Sequence, residues 1–167
     1  IAAGGVEMMS RVPMLSDEPR VFSDPAYAVR HQMLLMGSGA DLIATRIGAS
    51  REDCDAVALQ SQQRAALAQQ EGRFQSIVPI ETPEGLISED ECIRADMTAE
   101  RLARLPAAFA ELGAAGADQL QLAKFSELVA IERVHTMGNS PAMCDAGALV
   151  LLGDAALGES LGISPKA

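Results

Sequence analysis

The sequence predicts an acidic α/β domain, and three features indicate it. Ser50-Arg51-Glu52-Asp53 opens a long run of helix-forming residues that ends at Gly72. Serine is a preferred N-cap, and acidic residues in a first turn complement the helix dipole. Short apolar runs at 76–81 and 149–152 are typical of strands. The 167 residues are 49% apolar, which is enough for one domain with a core and short for two.

The charge balance narrows the possible partners. The 13 Lys and Arg stand against 23 Asp and Glu, which gives a net charge of −10. Nucleic acid is not expected as a partner, because binding phosphates needs a basic face. Only two of the cations are lysines, and no apolar run approaches the roughly 20 residues of a membrane span. We therefore expect no membrane partner either.

The cysteines and histidines predict neither a disulfide framework nor a metal site. Cys54, Cys92 and Cys144 are an odd number at wide spacing, and His31 and His135 lie far apart. Such cysteine usage favours a reducing cytoplasm. The chain opens without Met or a signal peptide and ends on Pro-Lys-Ala, so we expect a piece of a longer protein.

The first 47 residues predict one strand end and two helices. Residues 1–10 are interpreted as a strand end that runs into a Gly-Gly turn, because glycine lets backbones approach closely. Three prolines make 11–25 a surface loop. A helix is expected over 26–35. Gly37-Ser38-Gly39 should break it, with Ser38 or Gly39 as the cap of a second helix over 40–47.

The long helix is expected to start after Ser50 and to run to about Glu71, with Gly72 as its stop. Its apolar residues form only a narrow stripe among glutamines, which predicts an amphipathic helix on a surface. The stripe consists of Cys54, Val57, Ala58, Ala65 and Leu67.

After this helix the sequence predicts only short strands and a short helix. Residues 76–81 predict an edge strand, since they contain a proline, and 86–87 its returning partner after a turn at 83–85. Thr98 should cap a short helix through Leu105, which Pro106 stops.

The last third of the chain begins with residues 110–132, which show only a weak helical period. Residues 149–152 predict a buried strand, and Asp154 should cap a final helix that ends at Gly162.

Three features could carry chemistry on residue type alone. An acidic stretch over 81–91 could serve acid–base or metal chemistry, but a solvated turn between edge strands is the favoured interpretation. His31 could be a base or a surface residue. Cys144 could be a nucleophile, but a buried small apolar side chain is the favoured interpretation. Taken alone, these residues give no catalytic set.

Several motifs, in order along the chain, point to one family. Residues 3–10 read Ala-Gly-Gly-Val-Glu-Met-Met-Ser, 36–41 read Met-Gly-Ser-Gly-Ala-Asp and 136–140 read Thr-Met-Gly-Asn-Ser. The Ser-Arg-Glu-Asp helix with the following Glu-Gly-Arg-Phe, and the unbroken stretch 94–109, add two longer matches. Together they resemble the thiolases, a family of acyl-CoA acyltransferases.

The resemblance implies a thiolase-like α/β fold with two similar halves and a helix-rich loop domain inserted between them. Residues 1–10 would then end the N-terminal half, 11–133 would form the coenzyme A-binding loop domain, and 134–167 would begin the C-terminal half. The family's nucleophilic cysteine and its Asn-Glu-Ala-Phe, Gly-His-Pro and Cys-x-Gly motifs have no match here. No catalytic residue is therefore assigned, and the chain alone is expected to be inactive.

The resemblance also implies a set of residues that bind coenzyme A. Arg94 would match an arginine at the adenine and phosphate end, with an ion pair to Glu91 or Asp96 as the simpler alternative, and Arg101 would lie one helical span further. Phe109 would line the pantetheine tunnel and Met36 the acyl pocket. The complete set is Met36, Arg94, Arg101, Phe109, Asn139, Ser140 and Met143.

The resemblance predicts a transferase of fatty acid metabolism that cleaves 3-ketoacyl-CoA or condenses two acyl-CoA molecules. It would use coenzyme A as a substrate, hold no permanent cofactor and assemble as a homodimer or tetramer through its halves. Two departures support an alternative, a non-catalytic thiolase-like assembly module. Pro141 replaces the family's serine, and Leu35 stands where many members have histidine.

Overall fold

A computed structural model describes residues 1–164, which form two compact units. One unit comprises residues 1–23 together with the residues from Met143 onward, and the other comprises Asp24–Ala142. The strands in chain order are β1 (Ala2–Glu7), β2 (Ile80–Thr82), β3 (Gly85–Ile87) and β4 (Ala146–Leu151). The helices are α1 (Arg20–Ser23), α2 (Pro25–His31), α3 (Met36–Ile47), α4 (Arg51–Gln70), α5 (Ala99–Ala103), α6 (Ala110–Leu112), α7 (Asp118–Lys124) and α8 (Ala155–Leu161).

In the first unit, β1 pairs with β4 as an antiparallel ladder that runs from Ala2 opposite Leu151 to Glu7 opposite Ala146. The predicted Gly-Gly turn is therefore wrong, because both glycines lie inside β1. The close approach that glycine permits is nevertheless present. A side chain on Gly4 would collide with the backbone carbonyl of Ala148 on β4.

The ends of β4 and α8 test two local predictions. The strand predicted at 149–152 exists, but its burial was wrong: Leu149 is 78% exposed and Leu151 is 68% exposed. A two-stranded ladder buries neither face by itself, so apolar composition alone does not give burial. Asp154 accepts a hydrogen bond from the Leu157 N–H at 2.7 Å, and Gly162 adopts φ +66°, so the predicted cap and stop of α8 are confirmed.

In the second unit, the helices at 25–47 begin and end elsewhere than the sequence predicted. The first ends at His31, with Gln32 at φ +52°, rather than at Leu35. The expected break at 37–39 is wrong, because α3 begins at Met36 and its N-cap is Leu35. Ser38 does not cap this helix but lies buried in its first turn. The loop predicted over 11–25 also contains the short helix α1.

The long helix α4 starts as predicted. The hydroxyl of Ser50 accepts from the Asp53 N–H at 3.1 Å, while the Asp53 carboxylate accepts from the Ser50 N–H at 2.9 Å. This reciprocal pair satisfies donors that the first helical turn would otherwise leave open. The predicted apolar stripe is wrong in part, since Val57 is 71% exposed and Leu67 is 50% exposed. The buried residue of α4 is instead Asp55.

The segments after α4 are shorter than predicted. Only the end of the expected strand at 76–81 pairs, through Ile80 opposite Ile87 and Glu81 opposite Leu86. Thr98 caps α5 as predicted, but the helix ends at Ala103. Within 110–132, α6 and α7 flank a π-helical segment, Gly113–Ala117, that is kinked where Gly116 has φ +120°.

The small core of this unit lies where α3 and α5 meet the segment 131–136. Its buried apolar side chains are Ala44, Leu102, Ile131 and Val134. Asp41 and Thr136 are buried beside them, and both side chains accept hydrogen bonds from backbone N–H groups. The Asp41 carboxylate accepts from the backbone N–H groups of Val134 and His135, each at 3.2 Å, and lies 2.8 Å from Nδ1 of His135. The apolar core and the polar network around Asp41 therefore both hold the segment 131–136 against α3.

Candidate functional site

Two predicted site residues, Met36 and Phe109, lie together at the start of α3. The ring of Phe109 occupies the space that a side chain on Gly37 would need. Met36, the residue before Gly37, is 92% exposed, whereas Phe109 is half-buried. Phe109 is therefore fixed against the first turn of α3, where Met36 is the first residue and extends into solvent.

The two arginines of the predicted coenzyme A set, Arg94 and Arg101, flank Asp96 in the sequence. Nη1 of Arg101 donates to the backbone carbonyl of Asp96 at 2.9 Å and also pairs with its carboxylate. The hydrogen bond from Arg101 lowers the pKa of Asp96, and the charge of Arg94 lowers it further. Both arginines therefore act electrostatically on the same carboxylate, within a chain of net charge −10.

Arg94 itself is held by backbone rather than by a carboxylate. Its Nη1 donates to the carbonyl of Glu91 at 2.9 Å, and its own N–H donates to Oε1 of Gln62 on α4 at 2.6 Å. Among the described ion pairs, Asp96 is joined to Arg101. A guanidinium has five N–H donors, so Arg94 keeps donors that an anionic ligand can use.

Asn139 is held in a buried polar network. Its Nδ2 donates to the Asp55 carboxylate at 2.8 Å and to the Val134 carbonyl at 3.0 Å. Its Oδ1 accepts from the Thr136 N–H at 2.8 Å. The amide of Asn139 therefore shapes the turn at 136–139, and the half-buried Ser140 follows directly.

Met143 belongs to the other compact unit. There it lines a cavity of about 410 Å³ with Met9, Met14 and Cys144. Ser10 and Asp145 lie in the same wall, and the Ser10 N–H donates to the Asp145 carboxylate at 3.0 Å. The contacts with Ser10 lower the pKa of Asp145.

Sequence reasoning missed the pair Arg51 and Asp55, which the structure places next to Asn139. Nε of Arg51 donates to the Asp55 carboxylate at 2.8 Å, and its Nη1 donates to the Leu105 carbonyl at 3.2 Å. Both residues stand in the motif that begins at Ser50, where the helix-start pattern accounted for them completely. A charged pair four residues apart near the end of a helix is common, so nothing in the sequence singled it out.

The cysteines differ in exposure and environment. Cys144 is exposed, so its predicted burial is wrong. Burial, together with the charges of Asp53 and Asp55, raises the pKa of the Cys54 thiol, which disfavours the reactive thiolate. Within residues 1–164, no three His, Cys, Asp or Glu side chains converge as ligands for a metal ion. In the same range, none of the helices has the length and apolarity to cross a bilayer.

Comparison with known proteins gives a consistent picture. A family model described as the thiolase N-terminal domain matches residues 1–121. The 3-ketoacyl-CoA thiolase of Bacillus subtilis strain 168 is 33% identical over 98% of this chain and 40% of its own length. A Staphylococcus aureus strain COL protein named "Probable acetyl-CoA acyltransferase" is 30% identical over 100% of this chain and 42% of its own. The chain thus spans about two fifths of these relatives.

Solved structures agree with the sequence matches. Human mitochondrial 3-ketoacyl-CoA thiolase, in complex with CoA, superposes with a TM-score of 0.64 at 25% identity, over 98% of this chain and 40% of that one. The dimeric peroxisomal thiolase of Saccharomyces cerevisiae gives 0.64 at 28% identity, over 97% and 38%. The thiolase-like α/β fold is therefore confirmed, and with the family model matching residues 1–121, the chain belongs to the thiolase family.

Proposed function

We propose that this chain forms the coenzyme A-binding region of a thiolase that transfers acyl groups between carbon and the thiol of CoA. The reaction is the cleavage of a 3-ketoacyl-CoA or, in reverse, the condensation of two acyl-CoA molecules. Support comes from the family, from relatives named as thiolases and acyltransferases, and from a similar structure that holds CoA. In this proposal residues 11–133 are the loop domain, and 1–10 and 134–167 belong to the two halves.

The observation that carries the proposal is the contact between Phe109 and Gly37. It places Phe109 against the helical turn that Met36 begins, 73 positions earlier in the sequence. Pantetheine is a slender arm in which short apolar stretches alternate with amide groups, and a methionine and an aromatic ring on neighbouring segments are suited to its apolar parts. Asn139 and Ser140 complete the set in this unit, while Met143 is a candidate contact in the other unit.

The arginines around Asp96 are proposed to bind the phosphate end of CoA. Guanidinium groups remain charged at every physiological pH and match phosphate oxygens in pairs. Arg101 would exchange its contact with the Asp96 carboxylate for the ligand, whereas Arg94 is already held by backbone carbonyl and amide groups.

The experiment that tests this function is CoA binding by the full-length protein that carries this chain. Arg94→Ala should weaken CoA more than dephospho-CoA, because a charge-assisted hydrogen bond contributes about 1.5–3 kcal/mol, or roughly 10- to 100-fold in affinity. Titration calorimetry with the two ligands measures the difference. Equal losses of affinity for both ligands would show that Arg94 does not bind the 3′-phosphate. A lack of CoA binding by the unaltered protein would reject the proposal.

The chemical step is assigned to residues outside the matched motifs. Thiolase chemistry uses a cysteine nucleophile that carries the acyl group as a thioester until the CoA thiol accepts it. No cysteine of this chain matches that nucleophile, so the 167 residues alone should not cleave acetoacetyl-CoA. Turnover that disappears with Cys144→Ala would make Cys144 the nucleophile instead.

The alternative function is a thiolase-like module that assembles with other subunits and has lost CoA chemistry. Pro141 favours it, because proline offers neither a hydroxyl nor an N–H where the family's serine would stand. Leu35 also favours it, because it stands where many members of the family have a histidine. The sequence upstream of Ile1 discriminates the two functions, since only the enzyme needs the nucleophilic cysteine there.

The oligomeric state, the metabolic role and the cellular location are also part of the proposal. We infer a homodimer or tetramer, for which the dimeric yeast thiolase is the structural precedent. A role in fatty acid metabolism follows from a 3-ketoacyl-CoA substrate. Three widely spaced free cysteines are consistent with a reducing cytoplasm.

A further inference from the structure

A charged pair on α4 lies behind two segments of the proposed CoA site. Asp55 is 7% exposed, and the side chain of Arg51 is 22% exposed. Their contacts lead in two directions, to the turn that contains Asn139 and to the end of α5. We propose that Asp55 is a positioning residue for coenzyme A, which acts through Asn139 and Arg51 without touching the ligand; this inference rests on the proposed function.

The first connection runs through Asn139. One Asp55 carboxylate oxygen accepts from Asn139 Nδ2 at 2.8 Å, which orients the amide so that Oδ1 faces the Thr136 N–H. The hydroxyl of Thr136 in turn accepts from the N–H groups of Gly138 at 3.2 Å and Asn139 at 3.3 Å. The turn that presents Ser140 is therefore closed by hydrogen bonds, and Asp55 fixes it to α4 from outside.

The second connection runs through Arg51. The other carboxylate oxygen of Asp55 accepts from Arg51 Nε, and both terminal nitrogens of that guanidinium donate to carbonyls at the end of α5, those of Leu102 and Leu105. This fixes the chain just before Pro106, on the way to Phe109.

The two segments that these connections hold come together two residues before Phe109. Ala107 pairs with Thr136 in an isolated bridge, and the Ala108 N–H donates to the His135 carbonyl at 2.9 Å. Asp55 is thus connected to both segments where they cross. It holds the 136–140 turn through Asn139 and the segment before Phe109 through Arg51. A residue that secures two ligand-lining segments at once controls their spacing.

This arrangement differs from that of an ion pair which only stabilises the fold. A buried pair contributes little net stability against a well-packed apolar replacement, because desolvation offsets most of the attraction. Each oxygen of Asp55 instead receives a donor from a different part of the proposed site. An asparagine keeps one acceptor oxygen but replaces the other with an NH2 group that only donates, so it can satisfy only one of the two connections.

The test uses the full-length protein and compares Asp55→Asn with Asp53→Asn. The control makes the same change of charge two residues earlier on α4, where the described hydrogen bonds of the carboxylate are with Ser50. Asp55→Asn should raise the Kd and KM for CoA several-fold, because it breaks one of the two connections that hold the ligand-lining segments. It should leave kcat at saturating CoA nearly unchanged. Asp53→Asn should leave the Kd for CoA unchanged.

Three outcomes separate the inference from the proposed function. Unchanged CoA affinity in a folded Asp55→Asn variant would overturn the inference alone. A loss of kcat equal to the rise in KM would also overturn it, since that pattern indicates a global defect. Failure of the unaltered protein to bind CoA would overturn the proposed function.

A second variant covers the case in which Asp55→Asn does not fold. Arg51→Lys keeps the positive charge next to Asp55 but cannot donate to Asp55 and both α5 carbonyls at once. It should weaken CoA binding several-fold with kcat retained. Wild-type CoA affinity in Arg51→Lys would overturn the inference.

Discussion

The aromatic ring of Phe109 fills the volume directly beside the α-carbon of Gly37. This contact explains why a glycine stands in the first turn of α3, where the local pattern predicted a break. Glycine weakens an isolated helix, but here its missing side chain leaves room for the ring. The contact joins α3 to the segment that follows α5.

Gly37→Ala should therefore displace the Phe109 ring. We expect the free energy of unfolding to fall by about 1–3 kcal/mol, as for overpacking elsewhere in protein cores, and CoA to bind more weakly. Gly39→Ala is the matched control, because a side chain at Gly39 meets open space in the same helix. It should stabilise the protein by about 0.5–1 kcal/mol. Urea unfolding of both variants measures the difference, and equal stabilities would contradict the contact.

Asp96→Asn should strengthen CoA binding a few-fold. The Asp96 carboxylate competes with a ligand phosphate for Arg101, and its lowered pKa keeps it ionised throughout the neutral range. Removal of that charge releases the guanidinium. Calorimetry with CoA and dephospho-CoA should show the larger gain for CoA. A weaker CoA complex would mean that Asp96 orients Arg101 for the ligand instead of competing with it.

Pro141→Ser should also strengthen CoA binding a few-fold, and it separates the enzyme from the assembly module. A serine would restore one hydrogen-bond donor to the pantetheine arm, which contributes about 0.5–1.5 kcal/mol. Pro141 is exposed, so thermal stability should change little. If neither form binds CoA at millimolar concentration in calorimetry, the assembly module becomes the better description.

Acid should loosen the start of α4 through Asp53. The N–H and then the hydroxyl of Ser50 donate to its carboxylate and lower its pKa in the folded state. Its contribution to stability is therefore complete above the unfolded pKa of about 3.9 and is lost as the pH falls through the lower folded value. Thermal unfolding followed by circular dichroism should show a smaller acid-induced loss for Asp53→Asn than for the unaltered protein. Identical pH profiles would remove Asp53 from the capping box.

Local chemistry explains which elements were predictable. Ser50 with Asp53, Thr98 and Asp154 each satisfy open N–H groups within four residues, so the starts of α4, α5 and α8 follow from sequence. The resemblance to thiolases rested on ordered motifs, and the family and the fold are confirmed. The roles of Met36, Arg94, Arg101, Phe109, Asn139, Ser140 and Met143 stay predictions.

The sequence by itself determined the starts of α4, α5 and α8, the acidic balance and the family. Tertiary structure decided what happens at Gly37, since only the ring of Phe109 from 72 positions away makes a glycine favourable in that turn. It also decided the roles of Asp55 and Asn139, whose hydrogen bond joins residues 84 positions apart. Such contacts depend on which distant segments pack together. Local sequence patterns involve only neighbouring residues and therefore do not determine that packing.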